Sequence, residues 1–245
     1  MGAGEAKQRE AANGAQRTSP CAACAVRDMA FCGALGNDEM PRLLAIMSTV
    51  EVAPHQPIID EGEAANYLFN VTSGAAKLYK LLPDGRRQIT GFLFEGDFLG
   101  IAMNERYAYS AEAVDKVSLC RFPRRKLESL LDEFPKLEKR LLGMASNELV
   151  QAQDQILLLG RKTAQEKIVS FMLSLSDRVV KRGGLASPIA VPMGRADIAD
   201  YLGLTTETVS RTITNLKRDG HLRLLPGGMI ELPDLVALRD LAEGS

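Results

Sequence analysis

Four cysteines are the residues of this chain with the most chemistry to offer. Cys21, Cys24 and Cys32 form a C-x2-C-x7-C cluster, and Cys120 stands alone far downstream. Thiolates are soft ligands, and four of them can hold a tetrahedral zinc or an iron–sulfur cluster. Ligand type does not separate the two. Cysteine is also a common small core residue, and Cys120, at the end of the run Val117-Ser118-Leu119-Cys120, reads as core equally well. If a metal is held, the arrangement suits a sensor better than a structural clip. Three donors lie on one segment that gains rigidity only through Cys120, so losing the metal releases that segment.

The second chemically loaded stretch is residues 195–218, RADIADYLGLTTETVSRTITNLKR. Ile198 and Leu202 face inward on a short helix, with the small Ala199 between them to admit a crossing helix. Gly203 supplies a tight turn, Leu204 plugs the junction, and Thr205 caps the next helix. Val209, Ile213 and Leu216 form its buried side. Glu207, Ser210 and Arg211 share an exposed face at its start, together with Thr206, where a helix-turn-helix enters the major groove. Arg211 can bind guanine O6 and N7, Glu207 can accept from a cytosine amino group, and Ser210 can do either. Lys217 and Arg218 suit phosphates, which position without reading sequence. Two short apolar runs, His221 to Leu225 and Met229 to Leu232, flank a Pro-Gly-Gly turn and read as a wing. Three short helices can mimic this pattern, and Glu and Arg four apart can be a plain surface ion pair. The conjunction of Ala199, Gly203, wing and basic surroundings favours DNA binding.

Other elements must position these two sites. From Val50 to Phe122 the sequence runs in short apolar or alternating stretches punctuated by glycines, with a hairpin turn at Pro83-Asp84-Gly85. That pattern predicts an antiparallel β-roll or jelly roll. After Pro123 the period becomes helical. Leu142, Ala145, Leu149, Ala152, Ile156 and Leu159 follow a 3–4 spacing, which serves a helix packed on its own roll or one paired with a second copy. A further helix runs from Thr163 to about Val179, and Asp38 to Met47 forms a short one with Asp38 as cap. The expected division is a disordered tail over 1–19, a Cys-bearing segment and roll over 20–134, a long helix over 135–160, and a winged helix-turn-helix over 161–245. The fold class is α+β.

Composition agrees. The chain has 245 residues, 46% hydrophobic and 25% charged, with a formal net charge of −1. That near-neutral total hides an asymmetry, because 161–225 carries 11 Lys and Arg against 6 Asp and Glu, as expected of a basic DNA-binding module joined to an acidic one. No apolar run is long enough for a membrane helix and the first residues lack a signal-peptide core, so a cytoplasmic protein without a membrane partner is expected. His55 and His221 have no nucleophile or carboxylate at motif spacing, which argues against an enzyme.

Taken together, these features resemble the CRP/FNR superfamily, and within it the oxygen-responsive FNR group. The resemblance covers nearly everything after Pro20. It rests on the cysteine pattern, Gln88-Ile89-Thr90-Gly91-Phe92, Gly96-Asp97-Phe98-Leu99-Gly100, Asp154-Gln155-Ile156-Leu157-Leu158-Leu159, Tyr201-Leu202-Gly203-Leu204-Thr205, and Glu207-x-x-Ser210-Arg211. It implies a cyclic-nucleotide-binding-like roll, a helix that dimerises through Leu142 to Leu159, and a winged helix-turn-helix reading a TTGAT-N4-ATCAA-like palindrome in double-stranded DNA. It also implies an oxygen-labile 4Fe–4S cluster on Cys21, Cys24, Cys32 and Cys120. The x7 gap is wider than in the best-known members. An activator's contact with RNA polymerase falls, by resemblance, on the hairpin near Asp84-Gly85. Members that bind cyclic AMP use a Gly-Glu and a later Arg-Ser or Arg-Thr pair. Asp97 replaces that Glu here and Tyr109 precedes Ser110, so cyclic AMP is not the expected effector. The expected switch is loss of the cluster in oxygen followed by weakening of the dimer, with Glu148 and Asp154 each facing its copy beside the seam. The rivals are a regulator of the same fold controlled by thiol oxidation, abundance or a small ligand, and an enzyme or electron carrier using the same cysteines.

Overall fold

The computed structural model describes Cys21, residues 24–100, Ala102 and residues 105–244. The expected tail over 1–19 lies outside the described residues.

Two four-stranded antiparallel sheets make the N-terminal roll. One orders β1 (Ser48–Val52), β8 (Val117–Pro123), β3 (Tyr67–Ser73) and β6 (Phe98–Leu99). The other orders β2 (Pro57–Ile59), β7 (Ser110–Ala113), β4 (Ala76–Leu81) and β5 (Arg87–Leu93). Side chains alternate across a strand, and β8 uses both faces. Val117 and Leu119 pack inside the roll with Phe69, Val71 and Leu99, whereas Cys120 and Phe122 join a separate core on the outer face. Cys120 thus sits in the middle of β8, not at the strand's end as the sequence suggested.

The outer face is covered by the N-terminal segment. A 3-10 turn (Phe31–Ala34) and α1 (Met40–Leu44) lie over it, beside α2 (Arg124–Glu133) and the start of α3 (Pro135–Arg161). Asp38 does not cap α1. Glu39 occupies that position, and its carboxylate accepts from the Gly36 amide instead. Gly96 has φ +86°, and a Cβ there would meet Met29 Cβ at 3.0 Å, so a side chain at this turn would push the N-terminal segment off the roll.

After α3, α4 (Ala164–Lys181) opens with a reciprocal capping box between Thr163 and Glu166. Then come β9 (Ile189–Ala190), α5 (Arg195–Leu202), α6 (Thr206–Arg218), β10 (Arg223–Leu224), β11 (Met229–Glu231) and α7 (Leu235–Glu243). The wing has three strands, ordered β10-β11-β9. The sequence suggested two, because β9 is only two residues long and too short to show a period.

Roll and helix-turn-helix are packed together. Phe92 of β5, Phe171 of α4 and Tyr201 of α5 form a triangle of rings at 5.1–6.0 Å. Beside it Lys77 of β4 is 2% exposed and donates to Asp197 of α5 at 2.8 Å and to Glu112 of β7 at 2.9 Å. Arg87 adds contacts to Asp197 and Asp200, and the Gln88 amide donates to the Asp200 carbonyl. Removing one partner from a buried ion pair leaves an uncompensated charge. Lys77→Ala therefore should destabilise the chain by about 3 kcal/mol, since Arg87 offsets only part of the loss. Urea unfolding measures this, and a change within about 0.5 kcal/mol would show that the pair carries no structural weight.

Candidate metal centre and nucleic-acid interface

Strand alternation and the 3-10 turn bring the four cysteines together. Cys21, Cys24, Cys32 and Cys120 border one cavity, with Leu43, Leu44, Met47, Asn70, Thr72 and Phe122 completing its wall. No carboxylate or ammonium group is among these neighbours. Burial pushes the Cys120 thiol up to about 12 and the Cys32 thiol up to about 11, and the neighbouring thiols add to both shifts. Cys21 is raised by burial first and then by Cys24, while Arg27 pulls it back. Cys21, Cys32 and Cys120, raised by burial and by neighbouring thiols in an apolar pocket, belong to a donor set that a cationic centre would ionise.

The cavity is small, about 20 Å³, and among the described residues no three His, Cys, Asp or Glu converge on one point as ligands of a single ion would. A lone zinc draws its sulfurs to about 3.8 Å from one another, given Zn–S bonds near 2.3 Å. A four-iron core holds its ligand sulfurs further apart than a lone ion does. The donor chemistry fits such a core.

That segment grips the long helix. Phe31 lies edge-on to Phe98 and Phe122 at 5.0 and 5.2 Å, and Leu137, Leu141 and Met144 of α3 belong to the same core. The Arg140 guanidinium donates to the Asp28 and Met29 carbonyls at 2.9 and 3.0 Å. From Leu142 onward the helix bares apolar residues on another face. Leu142, Leu149 and Ile156 are 67%, 62% and 70% exposed, Ala152 is exposed, and Ala145 and Leu159 are half-buried. Val150 and Leu157, which the heptad reading passed over, widen the stripe. An apolar stripe of this length is the kind of surface that marks an interaction site.

In the C-terminal part, Gly203 takes φ +62° at the turn and Thr205 accepts from the Thr208 amide as the cap of α6. Val209, Ile213 and Leu216 are buried, while Thr206, Glu207, Ser210, Arg211, Lys217 and Arg218 are all exposed. Glu207, Ser210 and Arg211 stand on the first turns and Lys217 and Arg218 on the last.

Family comparison agrees with this architecture. Residues 49–134 match the cyclic nucleotide-binding domain and residues 166–241 the Crp-like helix-turn-helix domain. The chain belongs to the CRP/FNR family of transcription regulators, built of a cyclic-nucleotide-binding-type β domain, a long helix and a DNA-binding helix-turn-helix. It is 43% identical to the transcriptional activatory protein AadR of Rhodopseudomonas palustris over 84% of this chain and 86% of that protein. It is 40% identical to the nitrogen fixation regulation protein FixK of Bradyrhizobium diazoefficiens over 91% of this chain and 93% of that one. Among solved structures, FixK2 from Bradyrhizobium japonicum superposes with a TM-score of 0.74 at 37% identity, covering 80% of this chain and 97% of that chain. Among the described residues no helix is long and apolar enough to cross a membrane.

The roll's candidate ligand residues are engaged with the protein itself. Asp97 accepts from the Phe94 amide and ion-pairs with Arg178 and Arg182 of the α4 region, and the Ser110 hydroxyl accepts from the Glu61 amide. Glu148 is exposed on the long helix and lies within electrostatic reach of Asp97, Arg178 and Tyr109 of its own chain. Asp154 remains exposed beside the stripe. Burial first, and Asp97 second, push the Glu148 carboxyl up to about 7, with Arg178 opposing. An acid raised on folding favours the fold while protonated, and loses that contribution as pH rises from its unfolded value, about 4.3, through its folded one. Glu148→Gln, a fixed neutral form, should match the wild type in Tm near pH 4.5 and exceed it at pH 8. A gap that does not grow with pH would place Glu148 in solvent.

Proposed function

We propose that this chain is an oxygen-responsive transcription activator that binds palindromic DNA as a homodimer, with a 4Fe–4S cluster held by Cys21, Cys24, Cys32 and Cys120. The observation that carries the reading is that four cysteines, three of them far from the fourth in sequence, border one cavity whose wall continues into the core beneath the long helix. The activating role follows the relative named a transcriptional activatory protein. When bound, the cluster supplies iron–sulfide bonds that oxygen breaks.

The chain's own residues do the rest. Cys24 and Cys32 tie the N-terminal segment to Cys120 on β8. Phe31 and Arg140, through the contacts described above, then hold the first turns of α3 in place. That fixes the direction in which Leu142, Leu149, Ile156 and their neighbours meet a second copy. A paired α3 sets two α6 helices one DNA turn apart. Arg211, Ser210 and Glu207 read the half-site edges, with Thr206 beside them, and Lys217 and Arg218 hold phosphates. A TTGAT-N4-ATCAA-like site is the expected operator. The β4–β5 hairpin around Asp84-Gly85 is exposed and available to RNA polymerase. A seam this short suits a switch, because a few kcal/mol move its population from mostly single chains to mostly dimers.

Protein purified without air should carry about four irons per chain, and Cys120→Ser should carry almost none. Ile156→Glu, which places a charge in the seam, should keep its iron but sediment as a monomer and lose operator binding. Iron content indifferent to Cys120, or a dimer indifferent to Ile156, would contradict the proposal.

A further inference from the structure

Asn70 is the residue of the cysteine cavity whose presence packing does not explain. It sits in the middle of β3, where asparagine is disfavoured, and is 2% exposed. In the antiparallel register it is paired directly with Cys120, so the two side chains leave the same face of the sheet as nearest cross-strand neighbours. Both line the cavity. The Asn70 Nδ2 donates to the Val71 carbonyl at 3.2 Å, and Oδ1 has no partner, the one such buried side-chain atom among the described residues. Thr72, the other polar residue of the wall, is satisfied, since its hydroxyl donates to the Ser118 carbonyl at 3.0 Å.

A buried amide left half-satisfied costs stability, and an apolar residue of the same shape would avoid that cost. An amide opposite a cysteine, in a pocket of thiols, has a use for the unpartnered end. As seen, the free Oδ1 can accept from a protonated thiol; a half-turn about χ2 gives up the Val71 bond and turns N–H toward a thiolate sulfur instead.

We propose that Asn70 is a positioning residue for the metal centre that donates an amide hydrogen bond to sulfur at the Cys120 corner, and so sets the centre's reduction potential. This rests on the cluster reading above. Hydrogen bonds to the sulfurs favour the more negative, reduced state. Without the donor, reduction is harder and loss of an electron to oxygen easier. Asn70 thereby tunes how quickly air is sensed, at a cost to the metal-free fold.

The test compares wild type, Asn70→Leu and Asn70→Asp, each loaded anaerobically with iron and sulfide. Potentiometry should show the reduction equilibrium of Asn70→Leu moved about tenfold against the reduced form, equal to about 59 mV for one electron. Asn70→Asp, of the same shape but without a donor when ionised, should move it in the same direction and further. Metal-free Asn70→Leu should melt at or above the wild-type temperature, because an orphaned carbonyl is removed. Wild-type potentials in both loaded variants, or a metal-free Asn70→Leu that is simply less stable, would make Asn70 a structural residue and overturn the proposal while leaving the cluster intact. Failure of the wild type to bind iron, or iron binding that survives Cys120→Ser, would instead remove the cluster reading and this proposal with it.

Discussion

Phe31 is fully buried, with its ring edge-on to Phe98 and Phe122 of the outer sheet face and Cys32 next to it in the chain. Edge-to-face packing fixes both distance and tilt, so this ring helps set where the 3-10 turn lies and hence where Cys32 borders the cavity it shares with Cys120. The same core takes in Leu137 at the start of the long helix. One aromatic contact therefore sets the geometry of the thiols and the launch direction of the helix. The cysteines and the start of the helix press on a single packed unit, and packed units shift between discrete arrangements rather than deform smoothly, which is the physical basis of the proposed switch.

A second joint ties the roll to the DNA-binding part. The triangle of Phe92, Phe171 and Tyr201 and the buried Lys77 between Glu112 and Asp197 join β4 and β5 to α5. Buried ion pairs add little net stability over apolar packing but are demanding in geometry. Their place here fixes the orientation of the first helix of the helix-turn-helix, and through it the exposed face of α6. One packed unit thus joins the thiols to the start of the long helix, and another joins the roll to the helix-turn-helix, while the helix between them exposes its apolar stripe.

Much of this was legible in the sequence because it rests on local rules. Gly203 takes the left-handed turn it was expected to take, Thr205 caps α6, and Val209, Ile213 and Leu216 are buried at helical spacing. The spacing of Leu142, Leu149 and Ile156 marked a stripe but could not say whether the roll covered it, since that depends on where α2 and the N-terminal segment lie. Cys120 was visible as a thiol in a strand, yet which face it left depends on β8 register. Asn70 gave no signal, because its meaning comes only from the cross-strand pairing with Cys120. Lys77, Asp197 and the Glu148–Asp97 approach were hidden for the same reason, as contacts between distant segments leave no period behind. The third wing strand was too short to see.

The most direct measurement follows DNA binding and the iron absorbance together as air is admitted to protein purified without it, using an operator of the TTGAT-N4-ATCAA type. Operator affinity should fall in step with the bleaching of the band near roughly 400 nm, and the sedimenting species should shift from dimer to monomer over the same interval. Operator binding that persists after the iron is gone, or that never required iron, would contradict the account and leave a regulator of this fold governed by another signal.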